Sequence, residues 1–134
     1  MNVVRIPPHR SSELLSALVK AAHATVWAED ALLWHEDSPD AHEKAAERDA
    51  CLSRCERIVL RARAEGILAA SGVRALLGIL FETITLARWQ IDAQRPDLSL
   101  TRNELMDELR RRLIRTWHAH ARVRKVQRLL RIAS

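Results

Sequence analysis

Residues 101–134 read TRNELMDELRRRLIRTWHAHARVRKVQRLLRIAS. Thr101 and Glu104 form a T-x-x-E capping box, in which a hydroxyl and a carboxylate reciprocally satisfy two amides at a helix start, and Leu100 is placed to staple onto Leu105. Leu105, Leu109, Leu113, Trp117, Val123, Val126 and Leu130 follow at helical spacing, thinned at Ala119-His120-Ala121. Neither Gly nor Pro interrupts the run before Ser134. A helix of about 30 residues, rising 1.5 Å per residue, is roughly 45 Å long. That exceeds what a bundle of this size needs, so the final turns are expected to project.

The same stretch carries the charge. Glu108 is the last acidic residue, and the 26 residues after it hold nine cations: Arg110, Arg111, Arg112, Arg115, Arg122, Arg124, Lys125, Arg128 and Arg131. Residues 1–108 keep 13 bases against 17 acids, so the +5 total divides into an acidic body and a basic tail. Eight acids gather at Glu29, Asp30, Glu36, Asp37, Asp40, Glu43, Glu47 and Asp49.

Working outward, three more helices precede this one. Pro7-Pro8 blocks an early helix, so residues 1–10 are expected to be extended and 11–134 to form a single helical domain. Ser11 or Ser12 is expected to cap a first helix running to about His35. Its apolar line is Leu15, Leu18, Val19, Ala22, Val26 and Leu33, with Trp27, Ala31 and Trp34 on an adjoining face. Ser38 and Pro39 read as the cap and first residue of a second helix. That helix carries Ala41, Ala45, Leu52, Cys55, Val59 and Ala62 on one stripe and ends at Gly66, where glycine takes the left-handed conformation and Ile67 folds back. A third helix is expected from a Ser71 cap. Between Arg74 and Arg88 its only charge is Glu82, and apolar residues, among them Leu76, Leu77, Leu80, Phe81 and Ile84, run all round it. A helix apolar on every side is covered on every side, which predicts a dimer interface there. Arg95-Pro96-Asp97 makes the last turn. Four helices joined by short loops predict an all-α, antiparallel bundle with a long basic C-terminal helix.

Composition agrees: 48% apolar residues but one Phe and no Tyr, with three Gly and four Pro. One core is expected at this length. No 18-residue apolar run and no signal-peptide pattern occur, and two cysteines suit a reducing compartment, so a cytoplasmic location is expected. The cations are 19 Arg and three Lys. A GC-rich, bacterial-type genome gives that bias without functional demand.

Chemistry-bearing patterns are few. His35, Glu36, Asp37, Asp40 and His42 straddle a loop, no Glu-x-x-His occurs, and no metal or other cofactor is expected. Cys51 and Cys55 read as small buried hydrophobes. Glu82, in apolar surroundings, calls for a cation from a neighbouring helix. No phosphate loop, nucleophile elbow or Ser/His/Asp grouping is present, so an enzyme is not expected.

A helix ending Arg63-Ala64-Glu65-Gly66-Ile67-Leu68, a strongly apolar helix from Val73, a polar turn and an amphipathic helix from Leu105 together resemble the C-terminal effector and dimerisation half of TetR-family regulators. The resemblance spans residues 58–117. It implies a dimeric regulatory or effector-binding domain, the last two helices of that family often building a four-helix dimer interface. The family's N-terminal helix-turn-helix has no counterpart: residues 1–35 carry one long helix, so no DNA-contact residue is carried over.

The functional expectation is a small regulatory protein that binds another protein, such as an anti-activator or adaptor of a transcription regulator, and works as a homodimer. Arg110, Arg111, Arg112, Arg115, Arg122, Arg124, Lys125 and Arg128 are its candidate partner-binding residues. Pairing of this tail with acids 29–49, within the chain or across a dimer, ranks first, ahead of an acidic protein and then nucleic acid. A further alternative is a ligand pocket among Trp27, Trp34, Trp89 and Trp117.

Overall fold

The structure is a computed structural model that describes residues 8–34, 38–92 and 102–133, with side chains over 9–32, 38–85 and 104–130. Four helices account for nearly all of it: α1 Pro8–Trp34, α2 Ala41–Ala64, α3 Ala70–Asp92 and α4 Arg102–Ala133. They pack as the expected all-α bundle. α1 touches the other three helices, α3 lies along α4, and α2 also meets α3. Leu18, Val59, Leu68, Leu76, Leu109, Leu113 and Trp117 fill the centre, each almost fully buried.

The α2–α3 turn follows the sequence closely. Gly66 has φ 74°, the left-handed region where a Cβ is penalised. The Ile67 amide donates to the Ala62 carbonyl at 2.9 Å and the Gly66 amide to Arg63 at 3.0 Å, the paired bonds of a Schellman motif. Ile67 and Ala62 are both buried. Arg10 holds the turn from the other side, its Nε donating to Glu65 Oε1 at 3.0 Å and Oε2 at 3.2 Å.

Three helix starts differ from the sequence reading. α1 begins at Pro8, so residues 8–10 are helical rather than extended. Proline has no N–H to lose in a first turn and its φ already suits a helix. Ser11 therefore lies inside the helix, where its Oγ accepts the Trp117 indole N–H at 2.9 Å. α2 begins at Ala41 with Asp40 in the N-cap position, after a turn in which the Ala41 amide donates to the Ser38 carbonyl at 3.0 Å. α3 begins at Ala70, and Ser71 falls in its first turn. The box at Thr101, the Leu100 staple and the Arg95-Pro96-Asp97 turn lie outside the described residues. α4 itself starts at Arg102, next to Thr101.

α3 is not covered on every side within one chain. Leu76, Ile79 and Leu80 are buried and Leu77 is partly buried against the core, while Phe81 is 51% exposed. Ile84 is half-buried.

Candidate partner-binding surface on the fourth helix

α4 enters the bundle and then leaves it. Leu105, Leu109, Leu113 and Trp117 are buried at successive one-turn steps. His120 reaches Gly72 of α3 so closely that a Cβ on Gly72 would lie 2.9 Å from the His120 Cβ. Ala121 still packs against the core. From Arg122 to Ala133 the helix runs on for 12 residues, roughly 18 Å.

Here the structure corrects the expected stripe. Val123, Val126, Leu129 and Leu130 are 53, 49, 56 and 65% exposed, not a continuation of the core face. Val123 is six residues beyond Trp117, which places it roughly 120° round the helix at about 100° per residue. Leu130 is 18 residues, about five whole turns, beyond Arg112, and so continues the side that faces α3. α3 begins level with His120, so that side of α4 has none of the described helices opposite it further on.

The cations divide the same way. Arg112 Nη2 donates to Glu82 Oε2 of α3 at 2.8 Å, and Arg111 pairs with Glu108 at 2.7 Å on its own helix. Glu82 is thus answered by an Arg from a neighbouring helix, as its sequence setting demanded. It faces solvent rather than the core, and the Arg112 guanidinium holds its carboxyl below the usual range. Among the described residues, Arg110, Arg115, Arg122, Arg124, Lys125 and Arg128 meet no carboxylate within ion-pair distance. Arg124, one heptad after Trp117 and on the same side, has a buried Nε without a hydrogen-bond acceptor.

The described acids of segment 29–49 lie far from these cations within the chain. Trp117 is held level with Ser11, near the start of α1. Glu29 lies 18 residues further along α1, roughly 27 Å away. Its own neighbours supply its partners: Glu29 is buried and accepts from Arg48 Nη1 at 3.2 Å, Arg48 also reaches Asp49 at 3.1 Å, and Lys44 pairs with Glu47 at 3.6 Å. Among the described residues, the expected tail-to-29–49 pairing is not seen inside one subunit. The bundle has an acidic end and a basic end instead.

Other candidates resolve simply. Cys51 and Cys55 are free and buried. Burial pushes the Cys55 thiol up to about 11, despite a contact to Thr25 Oγ at 3.9 Å, so it is a poor nucleophile at neutral pH. Among the described residues no three His, Cys, Asp or Glu side chains gather as a metal site, and the His35–Glu36–Asp37 stretch lies outside them. Trp117 is fully buried at the basic end. Trp27 is half-exposed and 16 residues along α1 from Ser11, roughly 24 Å, so the two indoles do not share a cavity. Trp34 and Trp89 lie outside the described side chains. Shallow depressions lie beside Asp107, Arg110, Arg111 and Ile114 on α4, and beside Arg54, Arg57, Ile58 and Arg61 on α2. No described helix is long and apolar enough to cross a membrane.

No protein family, curated protein or solved structure matches this chain. The surface of α4 is therefore the ground for a functional reading.

Two features escaped the sequence. The outward turn of Val123, Val126 and Leu130 was signalled by the break at Ala119-His120-Ala121, where the spacing of the apolar residues changes phase. The close approach at Gly72 left no signal, because nothing local distinguishes Gly72 from Gly78.

Proposed function

We propose that this protein is a small regulatory adaptor that acts by binding another protein, and that the projecting half of α4 is the element that binds. The observation that carries the reading is the line of exposed aliphatic residues, Val123, Val126, Leu129 and Leu130, on a stretch of α4 where Arg122, Arg124, Lys125 and Arg128 meet no carboxylate among the described residues. Covering aliphatic surface contributes about 25 cal/mol per Å². A partner that covers it while answering Arg115, Arg122, Lys125 and Arg128 is an amphipathic helix with acidic flanks, laid alongside α4. Such an arrangement fits an adaptor or anti-activator of a regulatory protein.

Replacing Val126 and Leu130 by Asp tests the reading. Both side chains are exposed, so the melting temperature should hold while a protein captured by the wild type from its native host is lost. Capture that survives the double substitution would move the binding site elsewhere.

A second reading, nucleic-acid binding, draws on the same unpaired cations. Phosphate contacts would make affinity fall steeply with salt, and replacing Arg122, Lys125 and Arg128 by Gln would flatten that slope. Phosphates, however, leave the four aliphatic side chains unanswered. Sequence-selective, submicromolar DNA binding at about 0.15 M salt would put this reading first.

A further inference from the structure

A tail with no acid in its last 26 residues cannot pair with its own kind. Two such helices laid together would set Arg122, Lys125 and Arg128 against their copies. The chain nevertheless carries a complementary surface. Around the start of α2, Asp40, Glu43, Glu47 and Asp49 stand against Lys44 and Arg48, and those two bases are already engaged by Glu47, Asp49 and the buried Glu29. Asp40, Glu43, Glu47 and Asp49 are exposed on the first turns of α2. This end and the tail are at opposite ends of one bundle.

We infer that the projecting end of α4 docks on the acidic end of a second copy turned end for end, so that two copies close on each other through two identical contacts. This goes beyond the adaptor reading and does not rest on it: it concerns the purified chain alone, and a partner protein would compete with the second copy for the same end of α4.

The heights in the bundle support the closure. Trp117 is level with Ser11, so Glu29, 18 residues along α1, lies about 27 Å from that level, a little beyond the first residue of α4. The centre of the projecting segment, near residue 127, is about ten residues after Trp117. A two-fold axis that exchanges these two levels crosses the bundle midway, at about Leu113. That is the level of the Arg112–Glu82 bond, and Glu82 adjoins Phe81. Phe81 is 51% exposed, beside partly buried Leu77. The axis thus falls at the height of the most exposed large apolar residue among the described side chains of α3, where each Phe81 would meet its copy. A contact between unlike ends either propagates into a filament or closes about a two-fold. The end-for-end arrangement closes it and leaves no unmatched end.

The experiment is a reciprocal charge swap read by sedimentation velocity on the full chain. The wild type should sediment near twice its 15.3 kDa mass at about 0.05 M salt and move toward the monomer at about 0.5 M, where screening shortens to a few ångströms. One variant carries Asp40→Lys, Glu43→Lys and Glu47→Lys. The other carries Arg122→Glu, Lys125→Glu and Arg128→Glu. Each alone should associate at least about tenfold more weakly, because both of its contacts become like-charged. Mixed in equal amounts they should restore the dimer, since each tail then meets an end of opposite sign twice over. Restoration also shows that both variants fold. A wild type that stays monomeric at low salt overturns the inference, as does a dimer indifferent to both swaps. A tail variant that pairs with the wild type as tightly as with the acidic-end variant would replace it with tail-to-tail pairing, since both of those partners carry the same basic tail. Partner capture that survives Val126→Asp with Leu130→Asp, while the dimer responds to the swaps as above, would fault the adaptor reading alone.

Discussion

The two halves of α4 have similar apolar and arginine content and opposite fates. Both carry branched apolar residues every three or four positions and both are rich in arginine. Up to Trp117 the apolar residues are buried, and beyond Ala121 they are exposed. What differs is what lies opposite. α1 and α3 flank the first half, and α3 begins only level with His120. An apolar side chain on a helix stabilises a fold only where a neighbour removes it from water. The same residue beyond the last neighbour is available for another molecule.

The sharpest way to test the contrast is to truncate one large side chain in each half. Trp117→Ala removes a fully buried indole together with its bond to Ser11 and should cost about 3–5 kcal/mol in urea unfolding. Leu130→Ala, measured at dilutions where the chain is a single copy, should stay within about 0.5 kcal/mol. Equal losses would mean that the tail is buried in the monomer. The next largest effect lies at the boundary between the halves. Gly72→Ala pushes a methyl into the His120 Cβ, near its own backbone, and should cost about 1–3 kcal/mol as α3 and α4 are wedged apart. A neutral result would show that α4 has already left α3 at that height.

Smaller still is Ser11→Ala. It leaves the Trp117 N–H without its acceptor and should cost about 1 kcal/mol by thermal or urea unfolding, with the fold retained. Gly78→Ala closes the series with the opposite sign. Nothing lies within 4 Å of its would-be Cβ, and alanine in an exposed helix interior should stabilise by about 0.5–1 kcal/mol. The Gly72 and Gly78 results together tell a glycine held by packing from one that is merely tolerated.

Much of this was legible in the residues. Gly66 could be read because only a residue without a Cβ adopts φ 74° cheaply, so chemistry and position coincide. The division of charge is a matter of counting. The start of α1 was misread because Pro8 is equally at home before a helix and in its first turn, and the choice is made by what the turn packs on. Arg10 on Glu65 and Ser11 on Trp117 supply that packing from 55 and 106 residues away. The direction of Val123 and Leu130 was hidden for a related reason. Periodicity fixes which residues share a face, but the neighbouring helix decides whether that face is inside.

The hydrogen bond between Trp117 and Ser11 has a consequence for the time course of opening. Backbone amides near Leu109 and Leu113 are released only when the bundle comes apart, whereas those from Arg122 to Leu130 need only unwinding of the last turns of α4. Deuterium should enter α4 as a gradient that steepens sharply past the indole. A molecule seated on the tail would flatten that gradient without altering the slow amides. Occupancy of the exposed half can thus be followed residue by residue in the intact chain, with the buried half of the same helix as its internal clock.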